Sequence, residues 1–205
     1  ERIIKLSLQP VPAYPADTFN FVSVGRLCGQ KGYDRLLRVH IRLLREGYNH
    51  RIYLIGSGED EEKLRSEIEK YDAGDSFVLL GYRENPYPYI RNTDFYVMSS
   101  RHEASPVAIT EALILKTPVI STDVADVAER LEQGRYGIVT ENSEEALFSG
   151  MKSILSDRSI ARQYKANLSS YVCDETETIR KIEQFIKEGG FIITNDKADA
   201  QRKQN

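Results

Sequence analysis

The 205-residue chain is poor in cysteine and histidine. Cys28 and Cys173 lie far apart, and their spacing fits neither a metal site nor a redox pair, so a reducing cytosol is the simplest compartment. The histidines, His40, His50 and His102, are scattered, and no cluster of histidines and carboxylates has the spacing of metal ligands. No run approaches the ~18 consecutive apolar residues that a membrane-spanning helix needs.

An excess of positive charge is also absent. The formal net charge is −3 and the isoelectric point is near 5.8, which argues against a general nucleic-acid binder. The start of the chain carries no signal-peptide pattern, although its first residue is not Met. With 40% hydrophobic and 29% charged residues, the composition is that of an ordinary globular domain, and the length suffices for a sizeable core.

Apolar strand-like segments alternate with helical patterns through most of the chain. We predict a linker or irregular lead-in over 1–19, one domain over 20–190 and a polar tail over 191–205. The alternation predicts an α/β fold with a doubly wound, Rossmann-like parallel sheet of about six strands. Ligands bind such sheets at the carboxyl ends of the strands. The important loops are therefore those that follow Val24, Ile55, Leu80, Met98 and Ile120.

The segment SSRHEASPVAITEALILKTPVISTD, residues 99–123, follows one of these strands. Ser105 is a candidate helix N-cap and Pro106 suits the first helical position, with the helix running to Leu115. The unpaired N–H groups and partial positive charge at such a helix start favour an anion. Glu103 then lies in the loop beside this anion site, and Glu111 lies about 7.5 Å beyond Pro106 along the helix axis. Two acceptors near an anion site suit a ligand with a diphosphate and several hydroxyl groups.

The loop GRLCGQKG, which follows the first predicted strand, brings two cations to the same edge of the sheet. Gly25 permits close backbone approach. Arg26 can bind a phosphate with two hydrogen bonds, and Lys31 acts as a point charge. Solvated surface charges are the alternative interpretation. A loop-end ion pair with Arg101 or His102 is the alternative for Glu103, and a surface helix charge is the alternative for Glu111.

These motifs together resemble those of the family-four retaining glycosyltransferases, which have GT-B architecture and use nucleotide sugars. The resemblance covers roughly 21–155, and its pieces occur in the family's order: GRLCGQKGYDRLL, LIGSGED, LLGYREN and the paired-glutamate segment. It implies that this chain is one half of a GT-B fold, the C-terminal half that binds the donor. An N-terminal acceptor-binding half should then precede residue 1. The isolated chain should bind a nucleotide sugar weakly and should not turn over.

The resemblance also implies roles for individual residues. Arg26 and Lys31 would contact the donor diphosphate and stabilise the leaving nucleotide, Glu103 would lie near the donor sugar, and Glu111 would bind the ribose hydroxyls. Glu103, Arg26 and Lys31 are thus the catalytic candidates. The substrate-binding candidates are Gly25, Gly81, Tyr82, Arg83, Ala104, Ser105, Pro106, Val107 and Glu111. Ala104 and Ser105 depart from the glycine and aromatic residue that the family often has there.

The family resemblance further implies no metal or other cofactor beyond the nucleotide-sugar donor, which we expect to be UDP-linked. We expect no nucleic-acid partner, a cytoplasmic location, and peripheral association of a full-length enzyme with the inner face of the membrane. Polysaccharide or glycoconjugate synthesis of the bacterial type is the expected role. Two alternatives stay open: a non-catalytic nucleotide-sugar-binding module, and another Rossmann-type sugar-nucleotide enzyme. A G-x-G-x-x-G fingerprint and a Tyr-x-x-x-Lys pair would favour a nicotinamide-dependent enzyme, and the sequence has neither.

Three features receive structural interpretations instead. We expect His40 to be a structural residue within a helix and His50 to be exposed before a strand, while His102 adjoins Glu103. The GSG sequence of residues 56–58 is expected to form a tight turn. Tyrosines 82, 87 and 89 form either an aromatic patch or part of the core.

Overall fold

A computed structural model describes residues 1–173 of the chain. Their sheet has six parallel strands in the order β3-β2-β1-β4-β5-β6, which confirms the predicted fold. The strands are β1 Phe19–Val24, β2 His50–Ile55, β3 Phe77–Gly81, β4 Phe95–Met98, β5 Val119–Thr122 and β6 Gly137–Thr140. The helices are α1 Arg2–Leu6, α2 Tyr33–Arg45, α3 Glu61–Lys70, α4 Tyr87–Asn92, α5 Val107–Ile114, α6 Val127–Arg130, α7 Glu144–Ser156 and α8 Ser159–Leu168.

The strands form because their residues are apolar on both faces, as expected for a sheet covered on both sides. Phe21 packs into a core with Leu36 of α2 and Met151 of α7. Its neighbour Val22 packs into the opposite core with Leu113 of α5. Since successive side chains of a strand point to opposite faces, β1 lies at the centre of both layers.

The strand order places a topological switch point between β1 and β4. The chain winds from β1 outward to β3, then returns to pair β4 with the other side of β1. The loops that leave β1 and β4 therefore diverge, and they leave a crevice at the carboxyl edge of the sheet. The crevice thus lies between two of the five loops that the sequence predicts to be important, those that follow Val24 and Met98.

The beginning of the chain is more ordered than an irregular lead-in. Residues 2–6 form α1, and the Asn85 side-chain amide donates to the carbonyl of Leu6 at 2.9 Å. The Tyr14 ring lies 4.6 Å from that of Tyr53. The Tyr14 hydroxyl donates to the carbonyl of Tyr89 at 3.0 Å. The compact unit accordingly spans residues 1–171.

Most helix bounds agree with the sequence pattern to within a few residues. Ser143 caps α7 as the sequence indicates, since its hydroxyl accepts from the Ala146 amide at 3.1 Å. The sequence pattern also predicts helices over 158–171 and 174–189, and α8, the last described helix, is shorter than the first of these. The predicted helix 174–189 and tail 191–205 lie outside the described residues. Among residues 1–173, no helix is long and apolar enough to cross a membrane.

The expectation that His50 is exposed is wrong. His50 belongs to β2 and is 1% exposed, beside the fully buried His40 of α2. Their rings are joined by a 2.8 Å hydrogen bond between His40 Nδ1 and His50 Nε2. His40 is structural, as expected. The prediction failed because β2 begins at His50 itself, so the side chain is buried with the strand instead of lying in the loop before it.

Candidate functional site

A pocket of about 180 Å³ lies in the crevice between the ends of β1 and β4. Its lining includes Ser23 and Tyr33, the charged pair Lys31 and Glu103, and the start of α5. The strand order places this pocket at the switch point, where α/β sheets of this kind bind ligands. Lys31 and Glu103, 72 residues apart, are therefore brought together.

The Glu103 carboxylate is held by two donors. Lys31 Nζ lies 2.6 Å from Glu103 Oε1, and the Ser100 hydroxyl donates to the same oxygen at 2.6 Å. The Glu103 side chain is only 7% exposed, and that of Lys31 is 26% exposed. Within the described part of the chain, no donor is bonded to the other oxygen, Oε2. The arrangement therefore orients the carboxylate and leaves one oxygen able to accept from a ligand.

The partner of Glu103 differs from those considered in the alternative interpretation. Within residues 1–173, Glu103 forms no ion pair with Arg101 or His102. Arg101 instead makes a two-point ion pair with Asp34, at 2.7 and 2.8 Å. This contact holds the pKa of the Asp34 carboxyl well below its usual range. Glu103 is thus joined to the β1 loop through Lys31, while Arg101 fastens its own loop to α2.

A buried arginine that the sequence analysis missed fixes the loop after β4. Arg35 of α2 is 5% exposed. Its guanidinium donates to the carbonyls of Ser99 at 2.8 Å and Ser100 at 2.6 Å. The Thr122 hydroxyl also donates to Ser100 O, at 2.7 Å. These bonds set the direction of the chain immediately before Glu103. The available signal was an arginine on the apolar face of an amphipathic helix.

Gly32 allows the same two loops to approach each other. Its φ of +67° lies in the left-handed region, and a Cβ there would lie 2.2 Å from the Ser99 carbonyl oxygen. The Ser99 hydroxyl donates to the carbonyl of Lys31 at 2.9 Å. A side chain at residue 32 would therefore separate Lys31 from the β4 loop.

Arg26 is not part of the pocket lining. Its side chain is 72% exposed and forms a 3.0 Å ion pair with Glu59. The GSG turn supports this loop from below: a Cβ on Gly56 would lie 1.9 Å from Gly25 O, and one on Gly58 would lie 2.3 Å from Leu27 O. The glycines of the turn thus have a packing role, and Arg26 reaches solvent from a well-supported backbone.

The predicted start of α5 needs a correction. Pro106 occupies the N-cap position with ψ +71°, and the helix begins at Val107. Ser105 does not cap it, because its hydroxyl accepts from the Arg130 guanidinium at 3.2 Å. The proline ring fixes φ but its ψ is not helical here, which moves the boundary by one residue. The start of α5, including Val107, still faces the pocket, and Ala104 is exposed beside it.

Glu111 is not among the residues that line the pocket. The Tyr87 hydroxyl of α4 donates to Glu111 Oε1 at 3.0 Å. Burial raises the pKa of Glu111, and the bond from Tyr87 partly opposes that effect. The charge of Glu111 also contributes to raising the pKa of Tyr96, a residue that lines the pocket. The two glutamates therefore occupy distinct environments, Glu103 in the pocket lining and Glu111 beside Tyr87.

The Gly81, Tyr82 and Arg83 loop lies on the same edge but farther away. It follows β3, two strands from β1, which corresponds to about 10 Å. Tyr82 is 70% exposed, and its carbonyl accepts from Arg83 at 3.3 Å. The structure thus groups Lys31 and Glu103 tightly. It leaves Arg26, Glu111 and the β3 loop around them.

No three histidine, cysteine, aspartate or glutamate residues within 1–173 are grouped as metal ligands would be. The cationic groups near the pocket are side chains instead. Lys31 is part of its lining, and Arg26 lies in the adjoining loop. Independence from metal stays a prediction.

The family relationship is visible in the sequence. The profile of the family described as "Glycosyl transferases group 1" matches residues 8–170. The chain belongs to this family. An uncharacterized glycosyltransferase of Methanocaldococcus jannaschii is 33% identical over 139 residues, which cover 61% of this chain and 34% of that protein.

Two other relatives have more specific names. The N-acetylgalactosamine-N,N'-diacetylbacillosaminyl-diphospho-undecaprenol 4-alpha-N-acetylgalactosaminyltransferase of Campylobacter jejuni is 28% identical, over 70% of this chain and 39% of its own length. The Staphylococcus aureus capsular polysaccharide biosynthesis glycosyltransferase CapM is 25% identical, over 70% of this chain and 38% of its own length. The chain thus spans about two-fifths or less of the length of these relatives.

Solved glycosyltransferase structures share the fold. WaaG, a glycosyltransferase involved in lipopolysaccharide biosynthesis, superposes with a TM-score of 0.71 at 20% identity, over 86% of this chain and 48% of its own. Anabaena HepE in complex with UDP gives 0.71 at 18% identity, over 84% and 50%. The six-stranded domain is therefore of the Rossmann-like type found in GT-B glycosyltransferases.

Proposed function

We propose that this chain is the donor-binding half of a retaining GT-B glycosyltransferase that uses a nucleotide sugar for bacterial-type polysaccharide or glycoconjugate synthesis. The observation that carries the proposal is the Lys31–Glu103 pair in the switch-point pocket. Membership of the group 1 family supports transfer of a glycosyl group. HepE and the pneumococcal O-GlcNAc transferase GtfA have both been solved with UDP, which supports a UDP-linked donor.

The diphosphate would bind between Lys31 and the start of α5. Lys31 Nζ has three N–H donors, and one already contacts Glu103. The eight-residue helix α5 adds the partial positive charge of its N-terminus. Fixed positive charge at this point stabilises the negative charge that develops on the leaving nucleotide when the glycosidic bond breaks. Arg26 is long and exposed, so it can exchange Glu59 for a phosphate oxygen.

The two glutamates would contact different parts of the donor. Glu103 offers its unbonded Oε2 to a hydroxyl of the sugar, because its other oxygen is already held by Lys31 and Ser100. Glu111 would accept from the ribose hydroxyls while Tyr87 holds its Oε1. The Gly81–Arg83 loop, on the same edge of the sheet, would then face the base.

Retention of configuration places the attacking hydroxyl on the face of the sugar that the leaving group departs from. Glu103 need not be a nucleophile for this outcome. A fixed carboxylate beside the sugar orients it and stabilises the positive charge that develops on the ring. The phosphate oxygen that leaves can accept the proton of the incoming hydroxyl.

The remainder of the proposal concerns the longer protein. An N-terminal half would bind the acceptor and close the cleft over the carboxyl edge of this domain. The matched residues cover only 34%, 39% and 38% of these relatives, which supports a second half. We infer a metal-independent reaction, a cytoplasmic location and peripheral contact with the inner face of the membrane.

The paired substitutions Glu103→Gln and Glu111→Gln test these assignments. Gln keeps the size of Glu but removes its charge. Glu111→Gln should weaken binding of the free nucleoside diphosphate and of the sugar nucleotide alike, because both contain the ribose. Glu103→Gln should spare the free diphosphate and slow sugar transfer in the full-length enzyme. Calorimetry and initial-rate kinetics measure the two effects, and proton NMR of the product reports the anomeric configuration.

The assignments fail if Glu103→Gln transfers sugar at the wild-type rate and affinity. They fail equally if Glu111→Gln discriminates between the free and the sugar-bearing nucleotide. Glu141→Gln, an exposed glutamate after β6, serves as the matched control because it removes one carboxylate outside the pocket.

A further inference from the structure

The Tyr33 hydroxyl is a buried donor with no recorded acceptor. Tyr33 is the first residue of α2 and is 5% exposed. The Ser23 hydroxyl donates to the Tyr33 oxygen over a long distance of 3.5 Å. Among residues 1–173, no group accepts the proton of Tyr33. A buried hydroxyl that leaves its proton unused loses hydrogen-bond energy unless another partner arrives.

The position of this hydroxyl says where the partner would be. Tyr33 lines the same pocket as Lys31 and Glu103. Its oxygen lies against the loop that follows β1, since a Cβ built on Gly25 would come within 2.8 Å of it. Burial and the charge of Glu103 both raise the pKa of Tyr33. The hydroxyl therefore keeps its proton and acts as a donor throughout the physiological pH range.

The chemistry of the hydroxyl selects one kind of acceptor. Ser23 already donates to its oxygen, so the group offers a proton. Phosphate oxygens only accept, whereas sugar hydroxyls also donate and are better matched to Glu103. Lys31 and the start of α5 add positive charge to the same pocket.

We propose that the Tyr33 hydroxyl donates a hydrogen bond to a phosphate oxygen of the donor diphosphate and thereby contributes to recognition of the second phosphate. This inference rests on the proposed function, because it names a further contact in the same pocket. It makes Tyr33 a substrate-binding residue, and it gives Gly25 the role of leaving room for the hydroxyl.

Tyr33→Phe removes the hydroxyl and keeps the ring. Binding of UDP, GDP and ADP to the full 205-residue chain is measured by calorimetry, together with the corresponding monophosphates. For the diphosphate that the wild type binds, we expect roughly 10- to 100-fold weaker binding, the factor for one hydrogen bond to a charged group. The monophosphate should be affected less than threefold. Tyr164→Phe is the matched control, because it removes a tyrosine hydroxyl on α8, outside the pocket.

The outcomes separate the two levels of the proposal. If the wild type binds no nucleoside diphosphate, the proposed function itself is contradicted. If it binds one and Tyr33→Phe binds it equally well, only the Tyr33 contact is wrong. An equal loss for monophosphate and diphosphate also contradicts recognition of the second phosphate.

A double-mutant cycle keeps the inference testable if Tyr33→Phe perturbs packing. Gly25→Ala would push a methyl group toward the Tyr33 oxygen, which lies 2.8 Å from the Cβ position. It should weaken diphosphate binding in the wild type and do so far less in the Tyr33→Phe background, because the hydroxyl is gone. Additive effects of the two substitutions would overturn the proposal.

Discussion

Two clusters of buried polar groups, at opposite ends of the sheet, differ in how completely their hydrogen bonds are made. At the carboxyl edge, Glu103 Oε2 and the Tyr33 proton have no recorded partner among residues 1–173, and both residues line a pocket. At the start of β2, every ring nitrogen of His40 and His50 is bonded. The comparison teaches that burial of polar groups alone does not distinguish the candidate site from the histidine cluster. The unused hydrogen-bonding capacity beside the pocket is what differs between them.

The histidine cluster is a closed chain of hydrogen bonds. His50 Nδ1 donates to Tyr48 O at 3.0 Å, so its Nε2 accepts from His40 Nδ1. His40 Nε2 then accepts from the Ser76 hydroxyl at 2.9 Å, and that proton is no longer available to Ala73 O, which lies 3.2 Å from the same hydroxyl. Both imidazoles are neutral in this arrangement, and it joins α2 to β2 and to the turn before β3. Its contribution is structural.

The largest effect on stability is expected from Arg35. This residue shows that the carboxyl edge of the sheet also contains a buried polar side chain with a structural role. Arg35→Met removes two charge-assisted hydrogen bonds, to the Ser99 and Ser100 carbonyls. We expect a loss of about 3 kcal/mol or more in the free energy of unfolding. Urea denaturation measures it, and Arg35→Lys should lose less because it keeps the charge.

Arg65→Met is the control for Arg35, because Arg65 makes an exposed pair with Glu61 within one helix. Such pairs contribute only about 0.5 kcal/mol. Equal losses for the two arginine substitutions would contradict the assignment of Arg35 as the residue that fixes the β4 loop.

The next effect is the loss of stability in acid that the histidine cluster should cause. Burial lowers the pKa of His50 from 6.5 to about 4, and burial and His50 lower that of His40 further. Between these values the unfolded chain binds more protons than the folded one, so stability falls as the pH drops below 6.5. For His50 alone the full loss is about 3 kcal/mol.

Denaturation between pH 7 and 5 checks this prediction, with His50→Gln expected to give a shallower dependence on pH. NMR of the wild type provides a second readout that needs no variant. The imidazole resonances of His40 and His50 should not titrate above pH 5. A midpoint near 6.5 for either ring would show that the cluster is not closed.

The smallest effect concerns Tyr87, which partly satisfies Glu111. The bond from Tyr87 lowers the pKa of Glu111 against the raising effect of burial. Tyr87→Phe should therefore raise that pKa further and move the acid limb of nucleotide binding to higher pH. Affinity at neutral pH should change by about 1 kcal/mol at most. Calorimetry across pH 4–8 measures the shift, with Tyr89→Phe on the same helix as control. If the acid limb does not move in Tyr87→Phe, the bond from Tyr87 has no influence on the role of Glu111 in nucleotide binding.

The fold was predictable from the sequence because its determinants are local. Apolar runs such as FNFVSVG, glycine at strand ends and Ser143 at a cap position specify elements, and right-handed crossovers then restrict the topology. The errors occur where tertiary contacts override local preference. His50 is buried by its bond to His40, and Ser105 is bonded to Arg130 instead of capping α5.

The candidate site was predictable only as a set of loops. The sequence places Lys31 and Glu103 after strands whose ends meet at one edge, and the structure brings them within 2.6 Å. The sequence could not indicate that Arg26 pairs with Glu59, since that contact depends on the path of two loops. Nor could it identify Arg35 or Tyr33, because the helical pattern gives their burial but not their partners.

The central claim is that unused capacity in the switch-point pocket binds a nucleoside diphosphate, and Lys31 and Arg26 test it most directly. Calorimetry with UDP, GDP and ADP compares the wild type with Lys31→Met and Arg26→Met. We predict that Lys31→Met costs roughly 1.5–3 kcal/mol of binding free energy. Arg26→Met should cost less than about 1 kcal/mol, because Arg26 is 72% exposed and paired with Glu59. No diphosphate binding by the wild type, or equal losses in the two variants with circular dichroism unchanged, would contradict the account.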